Sequence, residues 1–361
     1  MFLLIFILIL VALIWVHELG HLLVAKLFGI RVSEFNIGFP PRLFSVRWGE
    51  TRYAVSLILV GGYVSIFGED GEEGKGNPRS MASKPRVVQA AVIVAGVAMN
   101  LLVGWLALSA GYMAGMQATP GTSAFGEVRD THATVTQVLP GSPAQKVGLA
   151  AGDKIESLQT GTQRGEQIQS AEQATNYIAA HQNESLLVTV LRGTEEKVFV
   201  AKPADGIVVG KKALGVSMAD VGILQLPVHL ALLQGAVSAK DVTVSTAQGL
   251  GIFFGSLVRG VADWNSVAGP VGIAGAGSSA VQDGFAAAAF VTALISINLA
   301  IINLVPIPGL DGGRLLIIII EGIIRRPVSP RVVNTLSLTG FALIILLMVV
   351  VTYHDIARLV G

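Results

Sequence analysis

The residues His17-Glu18-Leu19-Gly20-His21 combine types and spacing that could do chemistry. Histidines four apart lie on one face of a helix, so His17 and His21 can offer imidazole nitrogens to a single tetrahedral zinc. Glu18 stands beside that face, where it can take a proton from a water at the metal. The chemistry implied is metal-assisted hydrolysis. This five-residue pattern also arises by chance in helices that bind nothing, so its surroundings decide its meaning. Residues 1–16 carry no charge, and Leu22, Leu23, Val24 and Ala25 follow before Lys26. Ionisable groups are costly at bilayer depth and persist there mainly with partners and a function.

The elements holding this motif must therefore be those of a membrane protein. The 361 residues are 52% hydrophobic and 14% charged, with a mean hydropathy of +0.66. That is too apolar for a soluble protein, and the length is too great for one domain. The expected fold class is a polytopic α-helical membrane protein. It has about four transmembrane helices, a small membrane-associated β-sheet and an inserted, mainly β, extracytoplasmic domain. A net charge of +1 gives no sign of a nucleic-acid partner. Cysteine is absent, so any zinc must be held by histidine and carboxylate.

Four regions follow along the chain. Residues 1–116 form an N-terminal membrane part. It starts with a retained helix over 1–28, which lacks the basic start and cleavage site of a signal peptide. A β-segment at about 30–67 reads as a few short strands ending at Gly61-Gly62, and a polar loop over 69–84 precedes a second span over 87–116. In that span Asn100 is the strongly polar residue, while Ala91, Ala95, Gly96 and Gly104 suit close helix contact. Residues 117–220 are a soluble insert with strands near 133–139 and 186–191 and a helix near 171–180. Residues 221–283 read as an amphipathic, interfacial segment, in which 242–258 is ambiguous as a span and 269–279 is a loop or broken helix. Residues 284–361 carry a third span over 284–305 and a fourth over 332–353.

Basic residues fix the expected orientation. Lys26, Arg31, Arg42, Arg47, Arg52, Lys75, Arg79, Lys84 and Arg86 lie between spans one and two, and Arg314, Arg325, Arg326 and Arg331 between spans three and four. Both connections should face the cytoplasm. The insert and both termini then lie outside, with the His17–His21 motif toward the cytoplasmic side. One extra span near Lys240 would reverse the second half.

Two histidines do not complete a catalytic zinc site, which usually has three protein ligands and an open position. The next candidate comes late, after Asn298 and Asn303, in Pro306-Ile307-Pro308-Gly309-Leu310-Asp311-Gly312-Gly313. The prolines break the third span and the glycines permit a tight turn, which offers Asp311 from a non-helical loop at membrane depth. On its own Asp311-Gly312-Gly313 reads as an ordinary turn. Its polarity in an apolar tract, beside a site short of one oxygen, makes Asp311 the candidate third ligand.

With His17–His21 in the first span and Asn303 through Gly313 in the third, the chain resembles the bacterial site-2 proteases of peptidase family M50. These are intramembrane zinc metalloproteases of the RseP type. The likeness extends over essentially the whole chain, including the β-segment and Gly269-Pro270-Val271-Gly272-Ile273. In the insert, Gly141-Ser142-Pro143-Ala144 and Gly148-Leu149 through Gly152-Asp153-Lys154-Ile155 resemble a PDZ signature, and a PDZ fold can take up an extended peptide at its sheet edge. The resemblance implies zinc on His17, His21 and Asp311, Glu18 as catalytic base, and Asn298 and Asn303 helping to accommodate substrate. It implies single-span substrates, such as anti-sigma factors or remnant signal peptides, shortened first by a site-1 protease. It also implies a bacterial inner-membrane location. Many relatives from Gram-negative bacteria carry two PDZ domains, whereas this chain has room for one.

Two other classes compete. A membrane transporter also has broken helices and buried ionisable groups, but predicts inverted repeats that the halves do not display. A PDZ-based scaffold with a non-catalytic metal site would not need every residue of the constellation. His132, His181, His229 and His354 lack ligand spacing. Trp15, Trp48, Trp105 and Trp264 suit interface anchoring or internal packing equally. Glu321 reads as a cytoplasmic helix residue.

Overall fold

The computed structural model describes residues 1–69, 74, 76–161, 165–193, 195–208, 211–261, 269–326 and 328–360; Lys75 and Trp264 lie outside the described residues. Contacts divide the chain into two units, 1–109 with 235–361, and 110–234.

The first unit contains α1 (Phe2–Leu27), β1 (Val32–Trp48) and β2 (Thr51–Ile66), then α2 (Arg86–Ala114), which continues into the second unit. Its C-terminal part holds α5 (Val228–Val258, from residue 235 on), α6 (Pro270–Gln282), α7 (Phe285–Leu304), α8 (Asp311–Ile324) and α9 (Pro330–Val360). Among the described residues, α1, α2, α7 and residues 331–357 of α9 are long and apolar enough to cross a bilayer. Four such helices and additional β-structure among the described residues are consistent with a membrane protein.

The β-segment is two long strands, each of which bends, and not several separate short ones. Residues 42–48 pair with 51–56 across the turn at Gly49-Glu50, while 34–37 lie beside both 52–55 and 62–65. Gly61 and Gly62 sit inside β2 and do not end it. A Cβ on Gly61 would stand 2.6 Å from the Phe39 ring, and one on Gly62 would stand 3.0 Å from the Asn36 carbonyl. Leu22 and Ala25 of α1, Val32 and Phe35 of β1, Ile66, Val92 and Ile93 of α2 and Ile318 of α8 form one buried core beneath the hairpin.

One reading of the 221–283 segment changes. Residues 228–258 make one continuous helix, which is not among the four long, apolar candidates for a span. Residues 270–282 are helical and neither a loop nor broken: Pro270 occupies the first turn, where its missing N–H costs nothing. Asp355 of α9 accepts from the free amides of Gly269 (3.1 Å) and Gly272 (2.8 Å).

The second unit is built on a sheet in the order β3 (Met116–Ala118), β11 (Val216–Leu224), β4 (Arg129–Val138), β5 (Lys154–Thr160), β7 (Leu186–Arg192), β8 (Glu195–Ala201), with β6 (Glu166–Gln167) beside β5. A two-stranded pair, β9 (Ala204–Val208) and β10 (Lys211–Ala213), completes its strands. Two helices, α3 (Pro143–Val147) and α4 (Ala171–Ala180), accompany a core that includes Val135, Leu158, Leu186 and Val190. The unit is wider than 117–220 because β3 pairs with residues 222–224 and the Leu226 amide donates to the Tyr112 carbonyl. Ser142 caps α3 through the Gln145 amide, and Gly148 ends it at φ +89°. Asp153, fully buried, accepts from the Ala150 amide and from Nε and Nη2 of Arg192 at 2.6–2.9 Å. Hydrogen bonding to this carboxylate raises the Arg192 pKa.

Candidate metal centre

Apart from His17, Glu18, His21 and Lys26, α1 is almost wholly apolar, so its packing rather than its pattern selects the inward face. Phe6, Leu13, His17, Gly20 and His21 are buried on it. Gly20 allows α1 to approach α2, since a Cβ there would stand 2.5 Å from the Ala95 carbonyl oxygen. The close approach brings both imidazoles against Gly96, where a Cβ would stand 2.5 Å from His21 Nε2 and 2.7 Å from His17 Cε1. The two Nε2 atoms lie 3.2 Å apart.

Asp311 arrives from the other end of the chain. It is the first residue of α8 and not a loop residue as its flanking prolines and glycines suggest. The prolines end α7 and shape residues 305–310. Gly312 and Gly313 then let α8 start against that loop, since Cβ atoms there would collide with the carbonyls of Leu304, Val305 and Ile307. A Cβ on Gly340 of α9 would likewise collide with the Pro308 carbonyl. A carboxylate in the first turn of a helix is favoured by the helix dipole.

Asp311 Oδ2 stands 3.1 Å from His17 Nε2 and 3.4 Å from His21 Nε2. With the 3.2 Å between the imidazoles, the three atoms form a nearly equilateral triangle. A tetrahedral zinc with bonds of about 2.0–2.1 Å requires edges of roughly 3.3–3.4 Å. Oδ2 is also buried without a hydrogen-bond partner among the described residues. The donor set of two imidazoles and one carboxylate, and its dimensions, fit zinc.

Neighbouring groups orient this triangle. His21 Nδ1 meets the Val92 carbonyl at 2.8 Å, and Asn100 Nδ2 lies 3.4 Å from His17 Nδ1. Asn303 Nδ2 lies 3.4 Å from His17 Nε2. Asn298 is engaged elsewhere, its Oδ1 accepting from Thr246 of α5 at 3.1 Å. Glu18 faces the hairpin, with its Cγ 3.4 Å from where a Gly62 Cβ would stand.

A cavity of about 600 Å³, lined by Asp311, Arg314, Glu69, Arg86 and Glu321 among others, adjoins the triangle. Arg314 donates to Glu69 at 2.5 Å, and Arg86 pairs with Glu321 at 2.6 Å. Glu321 thus has a structural partner. The scattered His132, His181, His229 and His354 belong to no metal-competent cluster among the described residues. Gly96, Asn100 and the Val92 carbonyl were not singled out as site groups from sequence. Asn100 carried a signal, as an amide inside an apolar span.

A metal-competent triad with two members on a bilayer-length helix and the third at the start of the shorter α8 fits a membrane metalloenzyme. Comparison with known proteins refines the class, since the peptidase family M50 profile matches residues 5–347. A Clostridium perfringens relative is 32% identical over 346 residues, covering 96% of this chain and 95% of its own. The zinc metalloprotease RasP of Oceanobacillus iheyensis is 29% identical over an alignment of 438 residues, covering 98% of each chain. RasP of Shouchella clausii is 28% identical over 437, covering 99% of each. The chain belongs to peptidase family M50.

Proposed function

We propose that this chain is a zinc metalloprotease that hydrolyses peptide bonds within transmembrane segments of single-span membrane proteins. The observation that carries the reading is the triangle of His17 Nε2, His21 Nε2 and Asp311 Oδ2, with sides of 3.1–3.4 Å. These residues hold the metal. Bound there, zinc supplies Lewis acidity, making water a nucleophile near neutral pH and polarising a carbonyl. Glu18 takes the proton from the attacking water and returns it to the leaving amine.

A helical substrate must unwind before its carbonyl can be attacked, and its freed backbone groups need partners in lipid. The 62–65 limb of β2, with Gly62 against Glu18, offers a strand to which extended substrate can add. Asn303 beside His17 supplies a donor to the same backbone, and Asn298, which accepts from Thr246 of α5, is read as a second substrate-positioning residue. Unit 110–234 is read as a single PDZ domain on the extracytoplasmic side, with both termini there and the metal toward the cytoplasm of a bacterial inner membrane. It takes a peptide at its groove or refuses bulky ectodomains, so that substrates are shortened first by a site-1 protease. Anti-sigma factors and remnant signal peptides fit that description.

The decisive experiment is Glu18→Gln in liposomes containing a single-span substrate. Cleavage should vanish while one zinc per chain remains. Undiminished cleavage by this variant would refute the role of Glu18, and a zinc-free wild-type protein would remove the metal reading itself.

A further inference from the structure

One face of α2 supports both imidazoles. Val92, Gly96 and Asn100 recur every four residues and so look out on the same side of the helix. The Val92 carbonyl lies 2.8 Å from His21 Nδ1, and Gly96 leaves room for both rings. Asn100 completes the row. It is fully buried, its Nδ2 lies 3.4 Å from His17 Nδ1, and its Oδ1 has no hydrogen-bond partner among the described residues. Ser296 of α7 fixes α2 at this point by donating to the Asn100 carbonyl at 2.7 Å.

The tautomer of His17 decides the sense of that contact. An imidazole that gives Nε2 to a cation carries its proton on Nδ1. His17 Nε2 is the nitrogen that faces Asp311 and His21, so Nδ1 is a donor in need of an acceptor. His21 has such an acceptor in the Val92 carbonyl. An amide NH₂ cannot accept, but half a turn about the Asn100 Cβ–Cγ bond exchanges nitrogen and oxygen within the same envelope. That turn gives the buried Oδ1 a donor and His17 Nδ1 an acceptor together.

We propose that Asn100 is a positioning residue whose amide oxygen accepts the Nδ1 proton of His17, locking the tautomer and ring angle that present Nε2 to zinc. The inference rests on His17 being a zinc ligand. Its consequence is that α2, which supplies no ligand, sets the affinity of the site. Removal of an outer hydrogen-bond partner typically weakens metal binding about 10–100-fold.

The test is the zinc affinity of the full chain in detergent, measured by competition with a chelator of known affinity. Asn100→Leu preserves volume without an acceptor and should weaken zinc about 10–100-fold. Asn100→Asp keeps acceptor oxygens and should bind no more than about threefold less tightly than wild type. Thermal melts of the zinc-free proteins establish equal folding, and Asn100→Ala serves if the leucine variant does not fold. Wild-type affinity in the leucine variant overturns the proposal. So does an aspartate variant as weak as leucine, because the loss is then one of packing. Failure of the metal reading looks different: the unaltered protein holds no zinc, and the proposal falls with it.

Discussion

Gly96 lies so close to His21 that a single methyl group in its place would stand 2.5 Å from Nε2. The helix that carries no ligand therefore limits where both ligands of α1 can be. Contacts that close cannot be relieved by side-chain rotation alone, since the backbone of α2 is held by its own packing.

Gly96→Ala should displace both imidazoles and lower zinc affinity by at least about tenfold, comparable to loss of an outer-shell contact. Gly249→Ala, on α5 where nothing lies within 4 Å, is the control and should match wild type. Metal analysis after dialysis distinguishes them. Equal zinc retention by the two variants would contradict the packing argument.

Gly340→Ala tests a more distant relationship. A side chain there must push the Pro308 loop, and that loop leads directly into Asp311. Cleavage should fall by an order of magnitude or more, because small misplacements of reacting groups are expensive. An assay with reconstituted substrate reads this, and unchanged turnover would show that the loop yields without moving the carboxylate.

Chelation should abolish cleavage, and added zinc should restore it. Because the metal binds the folded chain, it should also stabilise the protein by about 2.7 kcal/mol at a free concentration one hundredfold above the dissociation constant. Asp311→Ala should remove both effects. A melt of that variant that still responds to zinc would place the metal elsewhere.

Asp153→Asn addresses the 110–234 unit alone. The buried carboxylate holds Arg192 and the Ala150 amide, and weakening these charge-assisted bonds should cost about 1.5–3 kcal/mol. Hydrogen exchange within 110–234 should accelerate in the full chain while zinc content stays at one. Equal exchange rates would mean that the pair contributes little.

Replacing the unit with a short flexible linker should allow an unshortened single-span substrate to be cleaved. Continued rejection of that substrate, with shortened substrate still accepted, would count against a gating role.

The sequence made some of this legible and hid the rest for physical reasons. His17 and His21 could be read because four-residue spacing on a helix is local geometry. Asp311 stood out as a charge in an apolar tract, but its position at the start of α8 did not. Pro306, Pro308 and the two glycines look like a turn, and only the packing of α8 on residues 304–308 shows that the glycines serve a helix–loop contact. The 31-residue α5 was legible as a helix too polar for a clear span, because its Ser, Thr and Gly interrupt the apolar run. Asn100 was visible as a polar residue, yet its neighbour His17 lies 83 positions away, and no periodicity reports that distance.

The wide separation of the triad also bears on how the protein is made. His21 is synthesised about 290 residues before Asp311, which at 5–20 residues per second is roughly 15–60 s on the ribosome. Throughout that interval the growing chain has two imidazoles in the bilayer and no carboxylate to close the triangle. A metal centre that needs His17, His21 and Asp311 together is thus incomplete, and the proposed hydrolysis withheld, until α8 has been made.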